Sequence, residues 1–382
     1  MFLIHKLHYI NLQVLFKLAI IDLILIVFFL KILDFKAKIS VIIPIYNVHN
    51  YIGRCLESIF MQECSEVAIE CILVDDCSSD NSMEIAERLI SDYKRRSGII
   101  QFKLLRFPEN RGHCAARNAA VRIATGDYYL FVDSDDFLKH DSIKYFVDEL
   151  NSVDEWPEVV MANAISFYDK RVLSIIPHKR FVDNLNYEGL NLILNRTLVQ
   201  TSWNKLVKAS VFTDYGLYFS EGIINEDLLW SYMLFLHAKS ILLLPQITYI
   251  YYNNNPMSIT KTKTYSLDFI RSRIFICNQI LTNPPRIIHP EYFGYVFSIL
   301  HKAVDAIECH INVSEANTER SGIRQLKKHL LRSTWKNGYP LLCCLILTMY
   351  KPFYYSVKLK AFRIHFYYFI RTAVTASYKF HF

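Results

Sequence analysis

The chain has 382 residues, 52% hydrophobic and 21% charged, a balance that excludes a disordered protein and leaves room for one large domain or two ordinary ones. Its formal charge of +7 is unevenly placed: residues 321–382 hold eleven Lys and Arg and no Asp or Glu, so residues 1–320 carry 32 basic against 36 acidic side chains. Nine cysteines without a C-x-x-C pair argue against a structural zinc site and suit a reducing compartment, where buried thiols act as small hydrophobes.

Residues 1–36 are apolar, but Lys17, Asp22 and Lys31 interrupt Leu18–Leu33, which falls short of an unbroken membrane span. A single anchor, an interfacial helix and an extension upstream of the true start are three readings of this segment; a cleaved leader is not expected, because no small-residue cleavage site precedes Ile39. From Lys38 the pattern alternates. Strands are expected at Ile39–Pro44, Ile69–Val74, Gln101–Phe107 and Asp127–Val132, rich in β-branched and aromatic residues. Helical spacing separates them at Tyr51–Phe60, Ser82–Arg95, Gly112–Ala124 and Ser142–Leu150, with Asp80 a cap for the second. Such βαβ alternation predicts an α/β fold with a mostly parallel central sheet. A further strand is expected at Trp156–Ser166, a less regular region from Asp183 to Leu194, a helix at Asn225–His237 and a strand at Ile241–Tyr252. Beyond Ser266 the chain reads as helical, and Asn312–Gly322 is the best linker candidate. Four regions result: 1–36, a catalytic unit over 37–265, a helical extension over 266–320 and a basic aromatic tail over 321–382.

Three of the expected strands end in polar clusters, where ligands bind in parallel sheets. Asp133-x-Asp135, followed by Asp136, gathers carboxylates able to hold one hard cation, Mn²⁺ or Mg²⁺, and such ions usually also take phosphate oxygens. Taken alone, the same residues read as a solvated acidic turn. Asp75 and Asp76 can accept hydrogen bonds from a base and a ribose, or cap the following helix with Ser78 and Ser79. Pro44, Tyr46 and Asn47 offer a stiff turn and an aromatic face for a base, or an ordinary strand-ending turn. His49 and His113 are expected at the surface, and no dinucleotide, P-loop or serine-hydrolase motif is present.

Together, Ile39–Asn47, Val74–Asp80, Asn110–Gly112, Ala116–Asn118 and Gly126–Asp136 resemble the family 2 glycosyltransferases, which use a type A nucleotide-sugar fold. One departure is Cys77, where the family usually has Gly; it requires a negative φ or some strain. The resemblance continues more weakly through Trp203–Lys205, Phe219–Gly222, Glu226-Asp227 and Tyr251–Thr260. It implies a nucleotide-sugar donor, uridine diphosphate based, and Asp227 as catalytic base, with the alternative that Asp227 is a helix-start acid favoured by the dipole. It further implies Asp135 on the metal, with Asp136 as second candidate, Asp133 nearer the ribose, and Arg117 contacting the nucleotide or bracing Asp133.

In the tail, Lys358, Lys360, Arg363 and Arg371 alternate with Phe and Tyr, which suits a headgroup boundary. A basic helical subdomain packed on the core is the other reading; nucleic-acid binding has no purpose beside these motifs. The expectation is therefore a metal-dependent, inverting transferase at the cytoplasmic face of the plasma membrane, extending a glycan or lipid-linked acceptor. A sugar-phosphate nucleotidyltransferase and a silent glycan-binding scaffold are the alternatives.

Overall fold

The computed structural model describes residues 37–62, 67–96, 99–194, 197–255, 266–288, 290–310 and 317–338. Strands β1 (Lys38–Ile45), β2 (Ala68–Asp75), β3 (Gln101–Arg106) and β4 (Tyr128–Phe131) pair in parallel in the order β3-β2-β1-β4. Every residue of β1 and β2 except the first is buried, as near-continuous apolar runs require when helices cover both faces of a sheet. Helices α1 (Ile52–Phe60) and α2 (Ser82–Arg96) cover one face, and α3 (His113–Ile123) covers the other. At Gly126 a Cβ would stand 2.6 Å from the Ser40 backbone nitrogen, so only glycine lets the chain enter β4 this close to β1.

After β4 come β5 (Phe137–Leu138), α4 (Ser142–Asn151), β6 (Val159–Ser166), β7 (Arg180–Val182), α5 (Leu185–Leu194), β8 (Lys205–Lys208), α6 (Ala209–Tyr215), α7 (Glu226–His237) and β9 (Ile241–Tyr251). They extend the sheet to β3-β2-β1-β4-β8-β6-β9-β5, with β7 also on β9. The sheet is mixed: β8 runs antiparallel to both β4 and β6, and β5 and β7 run antiparallel to β9. Two reversals restore the direction, so β6 and β9 again run with β1. Six strands therefore deliver their carboxyl ends to one edge.

Helices α8 (Leu267–Thr282), α9 (Pro290–His310) and α10 (Asn317–Lys336) share a single buried core with α5 and α7. The stretch read as a linker thus runs into a helix, with Ile323, Leu326 and Leu330 buried and Gly322 facing Ile274. The basic residues up to Lys336 lie on α10, whose apolar side is buried. The N-terminal segment 1–36 and the tail from 339 lie outside the described residues. Among the described residues, no helix is long and apolar enough to cross a membrane.

Candidate active site

The start of α3 gathers the polar turns. Asp76, 2% exposed, accepts from the Arg111 and Gly112 N–H groups at 2.7 Å each, while Asn110 Nδ2 donates to the Asp76 carbonyl at 3.2 Å. Gly112 at φ 88 takes a conformation glycine adopts without strain, which opens the helix directly on this carboxylate. Beside it, Asn47 at φ 51 accepts from Ser79 N–H at 2.8 Å and Asp80 N–H at 3.3 Å, and Asp75 accepts from Ser78 N–H at 3.0 Å. Pro44 is buried within β1, whereas Tyr46 stands 49% exposed. Asp75, Asp76 and Asn47 thus hold the loop in shape, and Tyr46 is its exposed ring. Cys77 adopts φ 62, so the sequence tolerates strain where glycine would have none.

The acidic turn after β4 divides its carboxylates by role. Asp133 is part-exposed and accepts from Arg117 Nη2 at 2.6 Å. Asp135 accepts from Asn255 Nδ2 at 2.8 Å, and burial, then the nearby Asp133 charge, raises its proton affinity. Asp136 is 0% exposed, with one oxygen taken by the Tyr249 hydroxyl and the other by Tyr252 N–H, each at 2.7 Å. Burial and its two acidic neighbours push Asp136 well above the ordinary range. It is turned into the core.

Arg117, 4% exposed, bridges this turn to α7, with Nη1 donating to Glu226 at 3.0 Å. His113 Nε2 lies 2.6 Å from the same Glu226 oxygen. Burial opposes the Glu226 charge, yet His113 and Arg117 hold its carboxyl down to about 2. Asp227 is the opposite case: its Oδ1 is buried with no hydrogen-bond partner, and burial, then Glu226, pushes it up to about 7. Adjacent acids are thereby split, one locked as an anion and one poised near neutrality.

The segment around Asp227 is held from behind. Asn225 at φ 60 accepts from Arg273 Nη2 at 3.1 Å, Ile224 N–H donates to Ser272 Oγ at 2.9 Å, and Tyr295 Oη donates to the Leu228 carbonyl at 2.9 Å. Lys205 is fully buried, donates to the Thr201 and Trp203 carbonyls, and is pushed down to about 7 by burial. Trp203 stacks on Tyr249 with centroids 4.5 Å apart.

Of the residues singled out by sequence, α3 connects Asp76, Arg117 and Asp133, and Arg117 reaches on to the Glu226-Asp227 start of α7. Arg117 thus braces Asp133. His113, expected at the surface, is instead the second clamp on Glu226; its position as the first residue after Asn110-Arg111-Gly112 was the available signal. Tyr249, which joins Asp133 and Asp136, carried no signal beyond its place in an apolar strand.

The model of the family described as glycosyl transferase family 2 matches residues 40–216. Glycosyltransferase GlyA of Streptococcus pneumoniae is 30% identical over 223 residues, covering 56% of this chain and 30% of that protein. The poly(ribitol-phosphate) beta-N-acetylglucosaminyltransferase TarS of Staphylococcus aureus is 29% identical over 216 residues, covering 56% of this chain and 35% of TarS. The chain thus spans about a third of the length of these two relatives. The crystal structure of S. aureus TarS 1–349 in complex with UDP-GlcNAc superposes with a TM-score of 0.65 at 21% identity, covering 90% of this chain and 91% of that one. That likeness is one of fold.

Proposed function

Residues 40–216 form a family 2 glycosyltransferase domain, and from that premise we propose that the chain transfers a sugar from a uridine diphosphate sugar to a hydroxyl of a surface glycan or a lipid-linked acceptor, with inversion at the sugar carbon. The observation that carries this reading is Asp227, a carboxyl with an unpartnered buried oxygen, linked through Glu226 and Arg117 to the acidic turn. Asp227 takes the proton from the acceptor hydroxyl as that oxygen bonds to the sugar carbon; the bond from that carbon to the diphosphate breaks, and the nucleoside diphosphate leaves. Arg117 and His113 keep Glu226 anionic, which keeps Asp227 basic enough to accept. Tyr46 stacks on the base, and the loop held by Pro44, Asn47, Asp75 and Asp76 supports the nucleoside. Asp136 acts from below by fixing the turn.

The acidic turn suits a divalent cation: burial, and then the neighbouring Asp133 charge, raise the Asp135 proton affinity, and all donors are oxygens. Asp135, with Asp133, would hold Mn²⁺ or Mg²⁺, which when bound neutralises charge on the departing diphosphate. The outward face of α10 carries Arg324, Lys328 and Arg332, and Trp335 is 71% exposed, features that support a peripheral position on an anionic cytoplasmic membrane face.

Thermal shifts with a panel of nucleotide sugars, with and without Mn²⁺, test the reading. UDP-sugars are expected to raise the melting temperature, more so with Mn²⁺. Asp135→Asn should lose the Mn²⁺ increment, and Asp227→Asn should keep donor binding while losing transfer. Transfer that survives both substitutions would end the assignment.

A further inference from the structure

Along the common edge of the sheet, the acidic turn after β4 stands between two unlike neighbourhoods. On the side of β1 and β2 lie the polar turns already assigned to the nucleoside. On the other side, beyond β8, the ends of β6 and β9 carry aromatic rings: Phe167 and Tyr168 after β6, and Tyr252 after β9. The β6 end turns back as a tight hairpin, with Ser166 N–H donating to the Arg171 carbonyl at 2.9 Å and Lys170 at φ 53. This fixes where the rings stand. Tyr168 and Tyr252 have hydroxyls 2.5 Å apart and ring centroids 5.2 Å apart, and Phe167 lies 5.6 Å from Tyr252. Tyr168 is nevertheless 49% exposed.

The cluster is wired to the reaction centre through Arg54. Its guanidinium lies 4.0 Å from the Tyr252 ring centroid and 4.5 Å from that of Phe137, and its Nη2 donates to the Asp135 carbonyl at 3.0 Å. Tyr252 N–H holds Asp136 on the same turn. One residue on, the Asn253 Oδ1 is buried with no partner among the described residues. An aromatic rim, a short step from the acidic turn and opposite the nucleoside side, therefore has ring surface facing solvent and an unmet hydrogen-bond acceptor next to it.

We propose that this rim is the acceptor subsite and that the acceptor is a saccharide chain, seated with the C–H face of a sugar ring on Tyr168. This rests on the donor reading above. The C–H face of a sugar is apolar and weakly positive, the complement of an aromatic face, while the hydroxyls at the sugar's edge stay free to bond polar groups and water around the rim. Hydroxyl pairing with Tyr252 holds the Tyr168 ring before the ligand arrives, which lowers the ordering cost of binding. An acceptor on the rim lies beside the acidic turn without crossing the nucleoside side.

Saturation-transfer NMR on the full chain tests this, irradiating aromatic protons in the presence of maltopentaose, chitopentaose or glycerol 3-phosphate as model acceptors. Transfer to ring C–H protons of at least one of the two oligosaccharides is expected. Tyr168→Ala should weaken that oligosaccharide's binding by roughly tenfold, and Tyr168→Phe, which keeps the ring, should retain most of it. The melting shift produced by UDP with Mn²⁺ should persist in Tyr168→Ala. No transfer to either oligosaccharide, transfer only to glycerol 3-phosphate, or transfer undiminished in Tyr168→Ala overturns the rim. Absence of the UDP shift in the unaltered chain instead overturns the donor reading, which the sugar-proton experiment does not touch.

Discussion

Replacing Asp227 by Asn should abolish transfer and stabilise the protein at the same time. Burial and the Glu226 charge raise the Asp227 carboxyl from its ordinary 3.8 to about 7, so the fold disfavours its charged form. The sign follows from proton binding: between pH 4 and pH 7 the native state holds a proton that the unfolded state has released, so stability falls as pH rises through that window. At about 1.4 kcal/mol per pH unit the full penalty reaches roughly 4 kcal/mol above pH 7, whereas at pH 5 only about 1.5 kcal/mol has developed. Asn carries no such charge. Urea unfolding of both proteins in EDTA, at pH 5 and pH 8.5, should therefore show the variant gaining about 2–3 kcal/mol more at the higher pH, after any fixed cost of the amide cancels. The chelator matters, because a bound cation would favour the anion. An equal difference at the two pH values would refute the reasoning, whatever the variant does to transfer.

Two further outcomes concern stability away from Asp227. Glu70 is fully buried as a side chain; burial works against its charge, but Lys103, Ser40 and Thr125 hold it down to about 2. Its contribution is present above pH 4.5 and is lost as pH falls toward 2, so Glu70→Gln should cost about 3 kcal/mol at pH 7 and progressively less in acid; a constant difference across a pH series of melts would count against it. Cys77→Gly removes a left-handed non-glycine residue whose thiol makes only a 3.7 Å contact with the Pro108 carbonyl. Net stability should rise by about 0.5–1 kcal/mol, the strain relief less the added chain entropy, and a lower denaturation midpoint would show that the strain is not there.

The parallel half of the sheet was legible because β1, β2 and β4 are apolar runs long enough to show their character and are separated by helical spacing. The short antiparallel strands were not. β5, β7 and β8 have four residues or fewer, too short for any period, and α5 lies in a stretch whose apolar residues follow no clean face. The polar start of α10 looked like a linker because its buried apolar positions begin only at Ile323. In the site, residue type predicted chemistry but not direction. Asp133 and Asp136 are the same residue three positions apart, yet one is part-exposed and the other buried in the core. Asn47, Asp75 and Asp76 likewise bond to backbone, a distinction that depends on loop geometry. Asp227 was marked out by family likeness, whereas its contrast with Glu226 depends on Arg117 and His113 arriving from α3.

The match to the family model stops at residue 216, ahead of Asp227, of α8 and α9, which clamp its segment through Ser272, Arg273 and Tyr295, and of α10, which packs on α8. Anyone trimming this gene for expression at the family boundary would obtain the loops proposed to grip the nucleotide but not the proposed proton acceptor. A cut at 265 would keep Asp227 while stripping away the helices that anchor it and baring their apolar partners to water. The smallest fragment worth purifying runs through α10, and inserts or tags belong outside residues 37–338.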